Sequence, residues 1–338
     1  MSATTPQLQP TPERFFSAVN AYEQTEAMKA AIELGVFTAI AEGNTNAAAI
    51  AKRCEATERG IRTLCDFLTI HSFLTKEDSQ YGLAPDSAVF LNKHSPAYVG
   101  GAIEFLLTPR IREAHARLTE AVRTGGTALD EGNLVPENPD WVKFANAMMP
   151  LMYMPSEIVA TELRKGGEAH KVLDIAASHG IYGISVARQN PSAHIYGCDW
   201  KNVLEVAEQN AQAMGLADRY HSIPGSAFDV DFGTDYDLVL VPNFLHHFDI
   251  PTCTTFMRKV HAALKPGGRA AIVEFVPNPD RISPPMAAAF SMMMLATTPA
   301  GDAYTFAEFE SISKDAGFTR VELSPAQLGL DRLVIAYR

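Results

Sequence analysis

No stretch of the chain reaches the ~18 consecutive apolar residues that a membrane-crossing helix needs, and 338 residues hold only four cysteines and two tryptophans. Cys54, Cys65, Cys198 and Cys253 lie far apart and without metal-ligand spacing, which argues against a zinc site or a disulfide framework and predicts reduced, mostly buried thiols. The start, MSATTPQLQPTPE, lacks the basic residues and the apolar run of a signal peptide. Residues 1–14 are expected to form a disordered lead-in, and the location is expected to be cytoplasmic. Positive charge is short as well: 28 Lys and Arg face 39 Asp and Glu, a formal net charge of −11. That balance argues against non-specific capture of nucleic acid and against docking on anionic lipid. Hydrophobic residues make up 47% and charged residues 20%, an ordinary globular composition able to bury a large core without staples.

What is present falls into two halves. From about Phe15 to Lys165 the chain reads as helical. Ala27-Met28, Ala31-Ile32 and Gly35-Val36 recur at helical spacing, as do Ile61, Leu64-Cys65 and Leu68. Asn46 is placed to cap a helix over Ala47–Arg53. Phe73-Leu74-Thr75 and Tyr81-Gly82-Leu83, separated by a polar turn, predict a β-hairpin after these helices. Three helices and a hairpin suggest a winged helix, and with it DNA binding. Residues 1–100, however, carry eight Lys or Arg against eleven Asp or Glu, and a recognition helix working on phosphates needs the reverse. A helical interface to a second subunit is the better expectation.

The second half changes period. Lys171–Ile175, His194–Cys198, Asp237–Val241 and Ala270–Phe275 are short apolar runs, separated by the helical stretches Tyr182–Gln189, Val203–Met214 and Thr254–Leu264. Strands alternating with helices predict a doubly wound parallel sheet covered on both faces. Val321–Leu323 and Leu333–Tyr337 are expected to close it as an antiparallel hairpin.

The first strand runs into Asp174-Ile175-Ala176-Ala177-Ser178-His179-Gly180 and then a helix, the place where ligands of such sheets settle. Asp199 ends the next strand ~20 residues further on, positioned to accept both hydroxyls of a ribose. Dinucleotide enzymes carry three glycines in this turn. Here Ala176 and Ser178 stand where two of them belong, which would crowd a diphosphate and suits a phosphate-free nucleoside better. The candidate cofactor residues are Asp174, Ala176, Gly180, Asp199, Trp200, Ser226, Ala227 and Asn243.

At VLDIAASHGIYG, YGCDWKNVLEVA, GLADRYHSIPGSAFD, DLVLVPNFLHHFD and VHAALKPGGRAAIVEF, the chain resembles the small-molecule O-methyltransferases that include the plant caffeic acid and the acetylserotonin enzymes. The resemblance spans roughly residues 15–338. It implies a class I S-adenosylmethionine-dependent fold: a Rossmann-like methyltransferase sheet over residues 168–338, linking helices over 106–167, and a winged-helix-like dimerisation domain over 15–105 that makes a homodimer. It implies His246 as general base, since histidine is suited to take a hydroxyl proton near neutrality, and Glu274 as the carboxylate that orients it. A glutamate in an apolar strand is costly to bury unless paired, and His246 would pair it. No metal is implied.

Two departures stand out. Ala303, in AGDAYT, occupies the position of the family's second glutamate, with Asp302 adjacent. Ser226, in GSAF, replaces the aspartate expected to bind adenine. The family positions of Phe144, Met148, Met294 and Thr298 place them at the acceptor pocket, where flexible methionines mould to aromatic groups. The expected acceptor is a small apolar or aromatic metabolite. Three alternatives remain open: methyl transfer to carbon, nitrogen or sulfur, or use of the bound cofactor without methyl transfer, on the same fold; a winged-helix ligand-sensing regulator; and an NAD oxidoreductase.

Overall fold

The computed structural model describes residues 10–130 and 137–338, and the chain divides into two compact units between Ile103 and Glu104. The lead-in expected over residues 1–14 lies outside the described residues as far as residue 9. Its last two residues begin a helix instead, because Glu13 and Arg14 open α1 (Glu13–Val19).

The first unit continues through α2 (Ala21–Leu34), α3 (Val36–Ala41), α4 (Ala47–Arg53), α5 (Glu58–Ile70), a hairpin of β1 (Leu74–Glu77) and β2 (Gln80–Leu83), and α6 (Pro85–Phe90). Asn46 caps α4 by accepting the Ala49 N–H at 2.9 Å. Ile61, Cys65 and Leu68 recur along α5 and are buried with Phe37, Ile40, Ile50, Leu74 and Tyr81 in one apolar core. The repeat through Val36 is not one helix. Gly35 takes a left-handed conformation (φ 74°) that ends α2 and starts α3 in a new direction. Phe15, Phe16, Val19 and Tyr22 of α1 and α2 are exposed.

After the one-turn helix α7 (Ile103–Leu106), the second unit runs through α8 (Pro109–Ala116), α9 (Leu118–Thr124) and α10 (Pro139–Arg164), a 26-residue helix that carries the methionines of segment 144–154. There follow β3 (Lys171–Ile175), α11 (Ile181–Gln189), β4 (His194–Asp199), α12 (Lys201–Ala213), β5 (Tyr220–Pro224), β6 (Tyr236–Pro242), α13 (Ile250–Ala263), β7 (Leu264–Glu274), α14 (Pro285–Thr297), α15 (Phe306–Asp315), β8 (Arg320–Leu323) and β9 (Arg332–Tyr337). The sheet has the order β5-β4-β3-β6-β7-β9-β8. Its first five strands are parallel, while β9 is antiparallel to both β7 and β8.

Side chains alternate across the sheet. Leu173, Ile175, Val239, Val241 and Ile272 face one apolar layer with Phe256, Val260 and Phe309. Val172, Leu238, Leu240, Ala271 and Val273 face the other, with Val159, Ile184 and Ala207. Coverage on both faces makes the strands continuous apolar runs rather than alternating ones. β5 is a strand that the apolar-run pattern missed. It is an edge strand, its sequence YHSIP is largely polar, and a proline is tolerated at its end because no further strand needs that N–H. Among the described residues, no helix is long and apolar enough to cross a membrane.

Candidate active site

Because β3, β4, β6 and β7 are parallel, their last residues share one edge of the sheet. That edge holds Ile175, Asp199, Pro242 and Glu274. The turn after β3 is tight: the Gly180 N–H bonds the Ala177 carbonyl at 2.6 Å. Ala176, Ser178 and Gly180 all have positive φ, at 48°, 52° and 73°. Two residues with a β-carbon thus adopt a conformation that suits glycine, at about 1–2 kcal/mol each. Only Gly180 has no room to change, since a β-carbon there would lie 2.9 Å from that of Ala207.

Asp199 reaches back to this turn. Its two carboxylate oxygens accept the Ser178 N–H at 2.8 Å and the Trp200 N–H at 2.7 Å. Each oxygen keeps a second lone pair for a ribose hydroxyl. Burial pushes the Asp199 carboxyl up to about 6. Asp174 is fully buried, and its Oδ2 accepts the Gly183 N–H of α11 at 3.0 Å, so this oxygen braces the strand against the helix. Burial pushes Asp174 up to about 8.

Loop 225–230, expected to receive the adenine, follows β5. The Lys259 ammonium gathers the carbonyls of Ala227, Phe228 and Val230 at 2.9, 2.9 and 2.6 Å, which fixes the loop. The Ser226 hydroxyl accepts the Phe228 N–H at 3.2 Å. Phe228, 38% exposed, packs against Phe244, Phe248 and Phe256. This partly open aromatic shelf, read from the sequence only as part of a motif, offers a purine a face to stack on. Trp200 packs beside Trp141, Ala145 and Val203. Asn243, at the end of β6, is left-handed (φ 50°) and donates from Nδ2 to Asp331 at 3.4 Å.

His246 lies in the one-turn helix after β6 and is 5% exposed. Its Nδ1 is 2.6 Å from Oε2 of Glu274, and its backbone N–H donates to Oε1 at 3.2 Å. Burial drives both groups toward neutrality, lowering His246 to about 3 and raising Glu274 to about 8. Burial thus favours the pair's holding a proton well above the ordinary carboxylate range. With Nδ1 engaged, Nε2 is the nitrogen left to exchange a proton with an acceptor.

Rings surround that imidazole. Phe290 of α14 meets it edge-on at 4.9 Å and stacks on Phe275 at 3.9 Å. His247 lies 4.3 Å away and meets Trp141 of α10 at 5.6 Å, and Trp141 and Phe105 both contact Phe144. Sequence reasoning missed Phe290 and Trp141. Phe290 lies one helical turn before Met294, a spacing that would have flagged it once the face turned toward His246 was known.

The residues expected around the acceptor separate into two groups. Phe144 and Met148, one turn apart on α10, are half-buried. Met294 and Thr298 are 3% and 0% exposed. The Thr298 hydroxyl is used internally, donating to the Met294 carbonyl at 2.7 Å and accepting the Gly301 N–H at 2.9 Å. Gly301 brings this loop against His246, since a β-carbon there would collide with the carbonyl oxygen of that residue. Ala303 is fully buried, and Asp302 pairs with Arg281 at 3.2 Å and accepts the Ala303 N–H at 2.8 Å. Asp302 thus has two partners of its own away from the position Ala303 fills.

Known proteins are similar to this chain in sequence and fold. Residues 143–319 match the O-methyltransferase domain and residues 16–93 the O-methyltransferase dimerisation domain. A candidate O-methyltransferase of known structure from Nostoc punctiforme PCC 73102 is 52% identical, with a TM-score of 0.95 over 98% of this chain and 100% of that one. The 3-hydroxy-5-methyl-1-naphthoate 3-O-methyltransferase of Streptomyces sahachiroi is 27% identical over 88% of this chain and 87% of its own. Human N-acetylserotonin methyltransferase, solved in complex with S-adenosylmethionine, shares the fold at 20% identity, with a TM-score of 0.84 over 99% of both chains. The chain belongs to the O-methyltransferase family, with the family's dimerisation domain ahead of its catalytic domain.

Proposed function

We propose that His246 is the general base, and Glu274 its orienting partner, in transfer of a methyl group from S-adenosylmethionine to a hydroxyl of a small metabolite. The observation that carries this is the 2.6 Å contact between Nδ1 and Oε2 inside a ring-lined, buried setting. When bound, the cofactor would supply an electrophilic methyl group on a sulfonium, the carbon–sulfur bond breaking as the oxygen–carbon bond forms and S-adenosylhomocysteine leaving with the electron pair. His246 takes the hydroxyl proton on Nε2 as the oxygen forms its new bond to carbon, and Glu274 stabilises the imidazolium that results. Phe290, His247 and Trp141 keep water from competing for the methyl group.

The residues around the turn fit an adenosine. Asp199 takes the ribose hydroxyls, the backbone of Ala176 to Gly180 allows close approach, and Ser226, Ala227 and Phe228 receive the base. Trp200 and Asn243 close the two ends of that cradle, and Asp174 holds it to α11. Phe144 and Met148 from one side, and Met294 with the backbone of Thr298 from the other, shape a pocket for an apolar or aromatic acceptor. The hydroxynaphthoate named for the Streptomyces sahachiroi relative is an acceptor of that class. The exposed Phe15, Phe16, Val19 and Tyr22 suit a homodimer interface of the N-terminal unit. Four buried free cysteines fit a reducing, cytoplasmic setting.

The test is incubation of a metabolite extract with the protein and S-adenosylmethionine labelled in its methyl group, followed by mass spectrometry. A labelled methoxy product is expected. Cofactor binding with no labelled product, or with label on carbon or nitrogen only, would overturn the reading.

A further inference from the structure

Asp331 is a buried carboxyl that bridges to Leu328 in its own hairpin and bonds Asn243 at the end of β6, yet no role follows for it from the base or from the ribose. β9 runs antiparallel to β7 with Arg332 opposite Glu274, so Asp331, just before β9, lies at the edge where the parallel strands end. It is 4% exposed, and its hydrogen bond is the long 3.4 Å contact from Asn243. Among the described residues no Lys or Arg forms an ion pair with it. Glu274 of β7 lies close enough to raise its carboxyl, which burial and that charge bring to about 7. Tyr182, in the first turn of α11 directly after the cofactor turn, is 3% exposed and lies within the fields of Asp331, Asp174 and Glu274 together. Its hydroxyl donates to the Met152 sulfur at 3.7 Å.

A buried carboxylate without a cation is costly, and Asp331 lies one residue before Arg332, which pairs with Glu274 across the sheet. One oxygen of Asp174 is sealed from solvent and has no hydrogen-bond partner among the described residues. S-adenosylmethionine brings two positive charges, one on the sulfonium and one on the α-ammonium of its amino-acid end. The sulfonium belongs beside His246 and Glu274, where the methyl group moves. The ammonium is the charge still without a counterpart.

We propose that Asp331 binds the α-ammonium of the cofactor, with Asn243 holding its carboxyl in place and Tyr182 closing the amino-acid end of the site. The proposal rests on S-adenosylmethionine being the cofactor. It adds a binding residue from the last hairpin of the fold, far in sequence from the turn that receives the nucleoside.

Two ligands separate this role from general support of the fold. S-adenosylhomocysteine retains the ammonium, whereas 5′-methylthioadenosine shares the nucleoside and lacks the amino-acid end. Calorimetric titration of Asp331→Asn should show S-adenosylhomocysteine weakened about tenfold or more, the loss of one charge-assisted bond. Binding of 5′-methylthioadenosine should stay within about twofold of the wild type. An unchanged S-adenosylhomocysteine affinity would overturn the proposal, and so would parallel weakening of both ligands, which marks a structural role. If Asp331→Asn does not fold, Asp331→Ser is titrated with the same two ligands and read in the same way. Wild-type protein that bound neither ligand would overturn the cofactor assignment and this proposal with it. The pattern of one ligand weakened and the other not leaves the cofactor assignment standing in either case.

Discussion

At the end of β3, Ala176 and Ser178 hold φ of 48° and 52°, backbone that suits glycine, although neither residue is one. At the ends of β6 and β7 the weight falls on side-chain identity: an imidazole nitrogen 2.6 Å from a carboxylate oxygen. On the proposed reading, the cofactor is received mainly by backbone shape and the acceptor by side-chain chemistry. Shape can survive substitution at a cost in strain, because the surrounding sheet and α11 over-determine the turn. A proton acceptor cannot be replaced by anything without a comparable lone pair. The departures from the family pattern fall on both sides, Ser226 at the cofactor loop and Ala303 beside the acceptor, while His246 and Glu274 are retained.

The largest effect that could break this contrast is on His246. His246→Ala should lower turnover by ~10²-fold or more and leave S-adenosylhomocysteine affinity, read by calorimetry, within about twofold. Glu274→Gln comes next, and its signature is a pH profile. In the wild type, kcat/KM for S-adenosylmethionine reports the enzyme before the cofactor binds. It should rise with pH through about 8, where burial has raised Glu274 and the pair gives up its extra proton. In Glu274→Gln that limb should vanish, since the remaining imidazole is held near 3 and is already neutral across the accessible range. Turnover should be lower but flat with pH, and a limb that stayed near 8 would assign it to another group.

Smaller effects sharpen the binding side. Ser226→Asp should tighten S-adenosylhomocysteine by about fivefold, because a carboxylate is the stronger acceptor for an amino group on the adenine edge. The smallest belongs to the turn itself. Ala176→Gly and Ser178→Gly should each raise stability by about 0.5–1 kcal/mol, the left-handed strain removed less the added freedom of the unfolded chain. Turnover should be little changed. Thermal melting and initial rates on the same preparations check both statements, and a loss of stability would mean that the methyl and hydroxymethyl groups make contacts that outweigh the strain.

Much of this site was legible before any coordinates because the chemistry depends on order and spacing. Asp199 about 20 residues beyond the turn, and Glu274 ending the strand after His246, are positions that a parallel sheet must bring to one edge. What was not legible concerns faces and edges. Periodicity marks Phe290 and Trp141 as apolar helix residues but does not say which side of α14 or α10 turns toward His246. Thr298 has the composition of a pocket residue, yet its hydroxyl closes a turn with Gly301. Asp331 is invisible to any motif, because only the antiparallel pairing of β9 with β7 carries it to the cofactor edge. The polar edge strand β5 offered no apolar run to read, and Gly35 broke a repeat that looked continuous.

Gly301 carries a practical consequence for altering this enzyme. Because its α-carbon sits against the backbone of His246 and the hydroxyl of Thr298, any larger residue there would displace the base itself. The two residues that follow are constrained differently, Asp302 by its pairing with Arg281 and Ala303 by complete burial. A library aimed at new acceptors should therefore keep position 301 as glycine and restrict position 303 to small residues, so that the loop is altered without pushing on the backbone of His246.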